Sequence, residues 1–180
     1  KKYKDKLAVD NLNLEIKTGE LFSLLGTNGA GKTTTIKMLS TLILPTSGEV
    51  EINNLDLVKD SSKIKEIINI SPQETAVASN LTVLENLYFM AGIYQIPNKE
   101  DKIKELIKLF KLEEVLKQKA KTLSGGYQRK LSIAISLINN PKILFLDEPT
   151  LGLDVISRHD LWKVIELLKG KTTIILTTHY

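Results

Sequence analysis

The fold is decided by residues 21–35, which read LFSLLGTNGAGKTTT. A short apolar run ends abruptly at Gly26, as a buried parallel strand does. Residues 26–33 then match the pattern G-x-x-x-x-G-K-[ST] without a gap, and the positions of Ile36 and Leu39 behind them predict a helix. A strand, this glycine-rich loop and a helix, in that order, indicate a site for a chain of phosphates.

The chemistry of this loop follows from its residue types. Glycines let the backbone curl so that successive N–H groups point at phosphate oxygens, and the following helix presents its positive end. Lys32 adds a mobile charge for the β- and γ-phosphates, Thr33 offers a hydroxyl to Mg²⁺, and Thr34 is placed to reach the α-phosphate. The other nucleotide-binding candidates in the loop are Gly26, Asn28, Gly29, Ala30 and Gly31.

A second candidate part of the site is a pair of acidic residues, Asp147 and Glu148. They directly follow the apolar run Ile143-Leu144-Phe145-Leu146. The four apolar residues predict a buried strand, which puts both acids at its carboxyl end. Two adjacent carboxylates repel each other unless a cation stands between them, so we expect Asp147 to hold Mg²⁺. Glu148 is then placed to orient or deprotonate an attacking water.

Hydrophobic patterning predicts an α/β fold around a parallel sheet. We expect strands at 12–16, 21–25, 50–57, 67–70, 142–147 and 172–178, and helices at 32–41 and 155–168. Residues 80–139 have a helical texture instead, opening with the capping-box pair Thr82 and Glu85. A core formed by 1–73 and 140–180, with a helical subdomain inserted at 74–139, accounts for this order.

Composition narrows the class of protein. The chain has 180 residues and a net charge of +4, which comes from scattered lysines, so we expect no nucleic-acid partner. The absence of cysteine excludes disulfides and thiol-ligated metals. No apolar run approaches the roughly 18 residues that a membrane-spanning helix needs.

The stretch 123–128, LSGGYQ, adds a family resemblance. Leu-Ser-Gly-Gly-x-Gln resembles the signature motif of ATP-binding cassette (ABC) proteins, and the whole chain resembles an ABC nucleotide-binding domain. Its motifs stand in the order that this family uses. They are Tyr3, the phosphate loop at 26–33, Gln73, the signature at 123–128, the Walker B strand and acids at 143–148, the D-loop at 151–154, and His179.

The resemblance implies a fold and roles for the site residues. The fold is that of P-loop NTPases, a RecA-like, mostly parallel sheet with an N-terminal antiparallel β portion. Tyr3 stacks on adenine, unless it is an ordinary exposed tyrosine. Gln73 contacts Mg²⁺ and the attacking water, and His179 binds the γ-phosphate. Lys32, Gln73, Glu148 and His179 are thus the expected catalytic residues, with Thr33, Gln73 and Asp147 at the metal.

The resemblance also implies partners. The signature residues Ser124, Gly125 and Gly126 close over the nucleotide of a second domain, so the partner is another cassette, identical or not. The Gln73 loop and the helical subdomain contact a membrane permease at the cytoplasmic face of the membrane. The expected cofactors are ATP and Mg²⁺.

The residues at 25–35, 45–48 and 177–180 most resemble those of the branch that exports drugs, antibiotics, sodium or lipids. The alternative is a soluble ABC ATPase that acts on ribosomes or nucleic acid, and a third reading is a phosphate-binding module without catalysis. We also expect the carboxyl-terminal helices of the family to be missing, because the sequence ends one residue after His179.

Overall fold

A computed structural model describes residues 1–178. The strands in this part of the chain are β1 (Lys2–Tyr3), β2 (Lys6–Leu7), β3 (Leu21–Leu25), β4 (Glu51–Ile52), β5 (Leu55–Asp56), β6 (Ile68–Ser71), β7 (Ile143–Leu146) and β8 (Thr173–Thr178). The α-helices are α1 (Lys32–Leu39), α2 (Ser61–Ile67), α3 (Val83–Ile93), α4 (Lys99–Phe110), α5 (Gly125–Ser136) and α6 (Val155–Leu168). Short 3₁₀ turns occupy Glu113–Val115 and Ala120–Thr122.

A four-stranded parallel sheet in the order β3-β8-β7-β6 forms the centre of the fold. Two antiparallel pairs, β1 with β2 and β4 with β5, stand outside it. This is the α/β architecture of P-loop NTPases that the sequence predicts. Among residues 1–178, no helix is both long and apolar enough to cross a membrane.

Both faces of the sheet are buried, each by its own apolar cluster. Leu144, Leu146 and Leu176 point into a large cluster that includes side chains from α3, α4, α5 and α6. Phe145 and Ile175, one position along each strand, point to the other face and pack with residues of α1, α2 and the β4–β5 pair. Because side chains alternate between the faces of a strand and both faces are covered, β7 and β8 are buried along nearly their whole length, and β7 is entirely apolar.

Two sequence predictions about strands are wrong in detail. No strand forms at 12–16, although the residues alternate as predicted, because Leu12 and Leu14 lie exposed and no described strand pairs with them. Residues 50–57 are not one strand but a tight hairpin. It turns at Asn53 and Asn54, which have φ angles of 53° and 61°. Helix α2 has no counterpart among the predicted elements, and only Ile64 of its residues is buried.

The other elements follow the prediction closely. Strands β3, β6, β7 and β8 and helices α1 and α6 begin and end within two residues of the expected bounds. The predicted capping box is confirmed at the start of α3, where Thr82 Oγ1 accepts from the Glu85 amide and Glu85 Oε2 accepts from the Thr82 amide.

Strand direction determines where the functional residues meet. The phosphate loop follows β3, Gln73 follows β6, and Asp147 and Glu148 follow β7. These three strands are parallel, so their carboxyl ends lie at one edge of the sheet, where ligands bind in open α/β folds.

Candidate nucleotide-binding site

The phosphate loop connects β3 to α1 through a backbone that requires glycine at Gly31. Gly31 is the residue before α1 and has a φ of 86°, in the left-handed region. A Cβ atom placed there would collide with the carbonyl oxygen of Ala8 and crowd Val9. The amino-terminal segment therefore closes against the loop, and only a residue without a side chain permits that approach.

Lys32 lies at the centre of the site. Its Nζ donates to the carbonyls of Gly26 at 2.7 Å and Thr27 at 3.1 Å. The same Nζ is 3.8 Å from Oε1 of Glu148, and both side chains are more than nine-tenths buried. A phosphate bound in the loop would thus meet a positive charge whose position is already fixed by the loop's own carbonyls.

An open cavity of about 280 Å³ stands over this loop. It brings together most of the predicted site residues, including the exposed Gln73 from the end of β6 and the half-exposed ring of Tyr3. The lining residues are Tyr3, Lys6, Ala8, Asn28, Gly29, Ala30, Gly31, Lys32, Thr33, Thr34, Gln73 and Glu148. Gly26 is not among the lining residues, but its carbonyl accepts a hydrogen bond from Lys32.

Oxygen atoms suited to Mg²⁺ meet at the edge of this cavity. Thr33 Oγ1 donates to Oδ1 of Asp147 at 3.2 Å, across 114 residues of chain. Among residues 1–178 there is no group of three or more His, Cys, Asp or Glu side chains placed to hold a metal alone. A hydroxyl, a carboxylate and the phosphates themselves are the donor set that Mg²⁺ uses in phosphate sites. The residues present therefore fit this ion.

The acid pair is fixed by Thr177, a residue that no sequence motif marks. Thr177 Oγ1 donates to Asp147 Oδ1 at 2.5 Å and accepts the amide of Glu148 at 2.9 Å. Glu148 needs this support because its φ is 48°, a left-handed backbone that is unfavourable for a residue with a side chain. The β-branched run 172–178 predicts the strand, but nothing in it marks Thr177 as a contact of the acids.

Arg129 on α5 is a second residue in contact with the site that sequence reasoning missed. It is a buried cation, and its guanidinium donates only to backbone carbonyls in the hydrogen bonds described. Burial lowers the pKa of Arg129 to about 10, while the nearby charges of Asp147 and Glu148 oppose that shift. The one available signal was composition, since Arg129 is one of only two arginines in a chain that otherwise uses lysine.

The signature residues lie outside the cavity over the phosphate loop. Ser124 caps α5, accepting the Tyr127 amide at 3.5 Å, and Ser124 and Gly125 are exposed. Gly126 abuts α6, where a Cβ would lie 2.7 Å from Ser157 Oγ. Of the described residues that line the cavity, none belongs to the signature. The expected site residue His179 lies outside the described residues.

The family model for ABC transporters matches residues 9–151 of this chain. The chain belongs to the ABC transporter family. The ligand of this ABC-family domain is therefore a nucleotide, and the cavity above the phosphate loop is the candidate site for it.

Curated proteins similar in sequence to this chain belong to the same family. Phospholipid-transporting ATPase ABCA3 of Homo sapiens is 42% identical over 179 residues, which is 98% of this chain and 10% of that protein. The probable multidrug ABC transporter ATP-binding protein YbhF of Escherichia coli (strain K12) is 38% identical over 183 residues, 100% of this chain and 32% of that protein. This ABC-family chain thus spans about a tenth to a third of the length of these relatives.

A solved structure shows the same fold. The dimeric post-hydrolysis state of the ATP-binding cassette MJ0796, bound to ADP and Pi, superposes with a TM-score of 0.86 at 32% identity. The match covers 96% of this chain and 80% of that one. The chain is thus an ATP-binding domain of the ABC ATPase class.

Proposed function

We propose that this chain hydrolyses ATP to drive a membrane transporter, and that it does so as one of two paired cassettes. The observation that carries the proposal is the single cavity in which the phosphate loop, Gln73 and Glu148 meet, with Asp147 bonded to Thr33 at its edge. A module that only bound phosphate would need neither acid.

The roles follow from position. Lys32 contacts the β- and γ-phosphates, backbone N–H groups of the loop bind the remaining phosphate oxygens, and Tyr3 stacks on the adenine. Thr33, Asp147 and the Gln73 side chain hold Mg²⁺, which when bound neutralises charge on the phosphates. His179, which lies outside the described residues, is assigned to the γ-phosphate by its place in the order of the family's motifs.

Hydrolysis needs a water in line with the γ-phosphorus. Glu148 takes a proton from that water as its oxygen bonds to phosphorus, and the bond from phosphorus to the β–γ bridging oxygen breaks to leave ADP and phosphate. Lys32, 3.8 Å from Glu148, balances the carboxylate before reaction and the phosphate charge during it.

Pairing follows from the separation of the two motifs. Ser124, Gly125 and Gly126 form a helix start of small residues, of which Ser124 and Gly125 are exposed. This helix start binds a phosphate held by a second cassette. The dimeric MJ0796 cassette, bound to ADP and Pi, supports this arrangement. The partner cassette could be a second copy of this chain or a different one.

The contact with a permease is proposed for the segment 74–95, which begins beside Gln73. Helix α3 and the residue that follows it expose large apolar side chains, namely Tyr88, Phe89, Ile93 and Tyr94. The relatives named above are described as phospholipid-transporting and multidrug proteins, which supports the exporter branch. The chain then works at the cytoplasmic face of a membrane.

The substitution Glu148→Gln tests this function. It removes the group that accepts the proton while keeping the size of the side chain, so we expect kcat for ATP hydrolysis to fall about 10²–10⁴-fold. Nucleotide affinity, measured by fluorescence titration, should stay within about threefold of wild type, since the loop amides are untouched and Lys32 keeps its hydrogen bonds to the Gly26 and Thr27 carbonyls. We expect gel filtration with ATP to reveal a stabilised dimer.

Glu166→Gln serves as the matched control. This substitution causes the same change of charge, but on α6, where Glu166 is exposed and does not line the cavity. It should leave turnover unchanged. Hydrolysis by Glu148→Gln at the rate of this control would refute the role given to Glu148.

A further inference from the structure

Arg129 joins three separate segments of the chain through one side chain. It lies on α5, five residues after Ser124, and is only 5% exposed. Its Nε donates to the Pro149 carbonyl at 3.0 Å and its Nη2 to the Asp147 carbonyl at 2.7 Å. Its Nη1 donates to the carbonyls of Pro72 at 2.5 Å and Gln73 at 3.3 Å.

Two of these acceptors flank Glu148. Asp147 and Pro149 are the residues immediately before and after it, so the guanidinium fixes the backbone on both sides of the proposed base. Glu148 itself has a φ of 48°, and such a left-handed conformation persists only where surrounding contacts hold it. Thr177 holds the Glu148 amide, and Arg129 holds the two adjoining carbonyls.

The other two acceptors belong to the segment that carries Gln73. The same planar group therefore determines how far the Gln73 backbone stands from the Glu148 backbone. Arginine suits this task, because its donors project in a fixed fork in one plane. A lysine offers its donors from a single nitrogen and reaches fewer of these carbonyls at once.

We propose that Arg129 is a positioning residue for ATP hydrolysis. It holds Glu148 in its strained backbone and sets Gln73 at a fixed separation from it, and it does both from the helix whose first residues are the signature. A shift of α5 therefore moves the catalytic base and the Gln73 loop together. This inference rests on the proposed function, since it assigns a task within that reaction.

The position of the contacts gives a specific expectation. None of the four hydrogen bonds involves the phosphate loop, so losing them should leave nucleotide binding intact. Misplacing the base and Gln73 should slow the chemical step. A split between kcat and nucleotide affinity is therefore the readout, because general destabilisation of the fold would not separate the two.

The experiment measures steady-state ATP hydrolysis and nucleotide affinity of Arg129→Met in the full chain. We expect kcat to fall by about tenfold to a hundredfold, the range associated with misplacement of catalytic groups, while the dissociation constant for ATP changes less than about threefold. Should Arg129→Met fail to fold, Arg129→Lys is tested by the same comparison of kcat with the dissociation constant for ATP. We then expect kcat to fall at least about fivefold while the dissociation constant stays nearly unchanged.

Two controls on the same helix separate charge and stability from positioning. Lys130→Met removes the neighbouring positive charge, whose ion pair with Asp160 at 3.2 Å lies away from the cavity. Leu131→Ala removes a fully buried apolar side chain and lowers the melting temperature. Both should keep kcat within about twofold of wild type at a temperature where they are folded.

The outcomes are distinct. If wild type hydrolyses ATP and the Arg129 variant matches Lys130→Met in kcat, or loses affinity and kcat in proportion, the positioning role is overturned and the proposed function stands. If the wild-type chain itself shows no turnover at concentrations that permit pairing, the proposed function is overturned, and the role of Arg129 with it.

Discussion

Thr177 makes two hydrogen bonds to the acid pair through one hydroxyl. Its side chain is fully buried, its proton goes to Asp147 Oδ1, and its lone pair accepts the Glu148 amide. Because Asp147 also accepts from Thr33, the hydroxyl of Thr177 helps to fix the carboxylate proposed for Mg²⁺ as well as the backbone of the proposed base.

The substitution Thr177→Val keeps the shape of this side chain and removes its hydroxyl. It removes the acceptor of the buried Glu148 amide and one of the two hydroxyl donors to Asp147 Oδ1, so we expect a loss of about 1–3 kcal/mol in the free energy of unfolding. ATP hydrolysis should fall roughly tenfold, because both acids lose a fixed contact. Chemical denaturation and a phosphate-release assay measure the two effects.

Thr173→Val is the matched control on the same strand. Thr173 is also buried, and its Oγ1 accepts the Gly19 amide at 2.9 Å at the opposite end of β8. It should lose stability without a specific loss of turnover. Equal effects of the two variants on turnover would contradict the role given to Thr177.

The site residues that sequence could predict were those in contiguous motifs. The phosphate loop, Asp147 and Glu148 are marked by their immediate neighbours, and strand–loop–helix order gives them a place. Arg129 has no such mark, because its partners are main-chain carbonyls, including that of Gln73 at 56 residues' distance. Every residue has a backbone carbonyl. The residue types at the accepting positions therefore do not indicate that an arginine elsewhere in the chain will bond to them.

At the scale of elements, helix α3 shows how a local signal fixes the start of a helix. The Thr82 amide and hydroxyl both donate to Glu85 Oε2, at 2.7 Å and 2.8 Å. These bonds favour the carboxylate and lower the pKa of Glu85 from its ordinary value of 4.5, the amide of Thr82 having the largest effect. The carboxylate also faces the positive end of the helix.

This geometry predicts a pH-dependent contribution to stability. A carboxyl group whose pKa is lower in the folded state stabilises the fold above its ordinary pKa, here 4.5, and loses that effect as the pH falls through the folded value. We therefore expect wild type to melt above Glu85→Gln at pH 7, and the difference to shrink as the pH is lowered below about 4.5.

Thr82→Val is the control for the hydroxyl alone. It keeps the amide donor and removes one of the two bonds that lower the pKa of Glu85. The pH-dependent melting difference caused by Glu85→Gln should therefore be smaller when Thr82→Val is also present than in the otherwise wild-type chain. Melting curves recorded by circular dichroism from about pH 3 to pH 7 give the answer. A melting difference that is constant over this range would contradict the assignment.

The elements that sequence misjudged are those whose outcome depends on a neighbour. Alternation at 12–16 is real, but a strand also needs an adjacent strand to pair with, and none of those described is available. At 50–57 the turn signal was Asn53-Asn54, since asparagine tolerates the left-handed backbone that a two-residue hairpin requires. Apolar and polar residues alternate on either side of these two asparagines, and this pattern predicts one continuous strand instead of a turn.

At the scale of the whole molecule, the chain presents two surfaces that a complete ATP site would need. One is the cavity over the phosphate loop, and the other is the exposed start of α5 with the signature. Beside that start, the D-loop region exposes Leu151, Val155 and Ile156, of which the last two are 80% and 76% exposed. Such apolar exposure next to small residues favours pairing with another cassette.

If two copies pair with a shared symmetry axis, each site takes its phosphate loop from one copy and its signature from the other. Ser124→Arg then blocks pairing at one signature but leaves ATP binding by its own loop intact. Lys32→Ala does the reverse, since it removes the phosphate-binding charge and keeps the signature. Each variant alone should hydrolyse almost no ATP.

Mixing the two variants should restore activity. A mixed dimer contains one complete site, built from the phosphate loop of Ser124→Arg and the signature of Lys32→Ala, so an equal mixture should reach roughly a quarter of wild-type turnover if the sites act independently. The control replaces one partner with the double variant Lys32→Ala/Ser124→Arg, which can supply neither half. If the first mixture is no more active than this control, the site is not shared between chains, because only sharing can join the two intact halves.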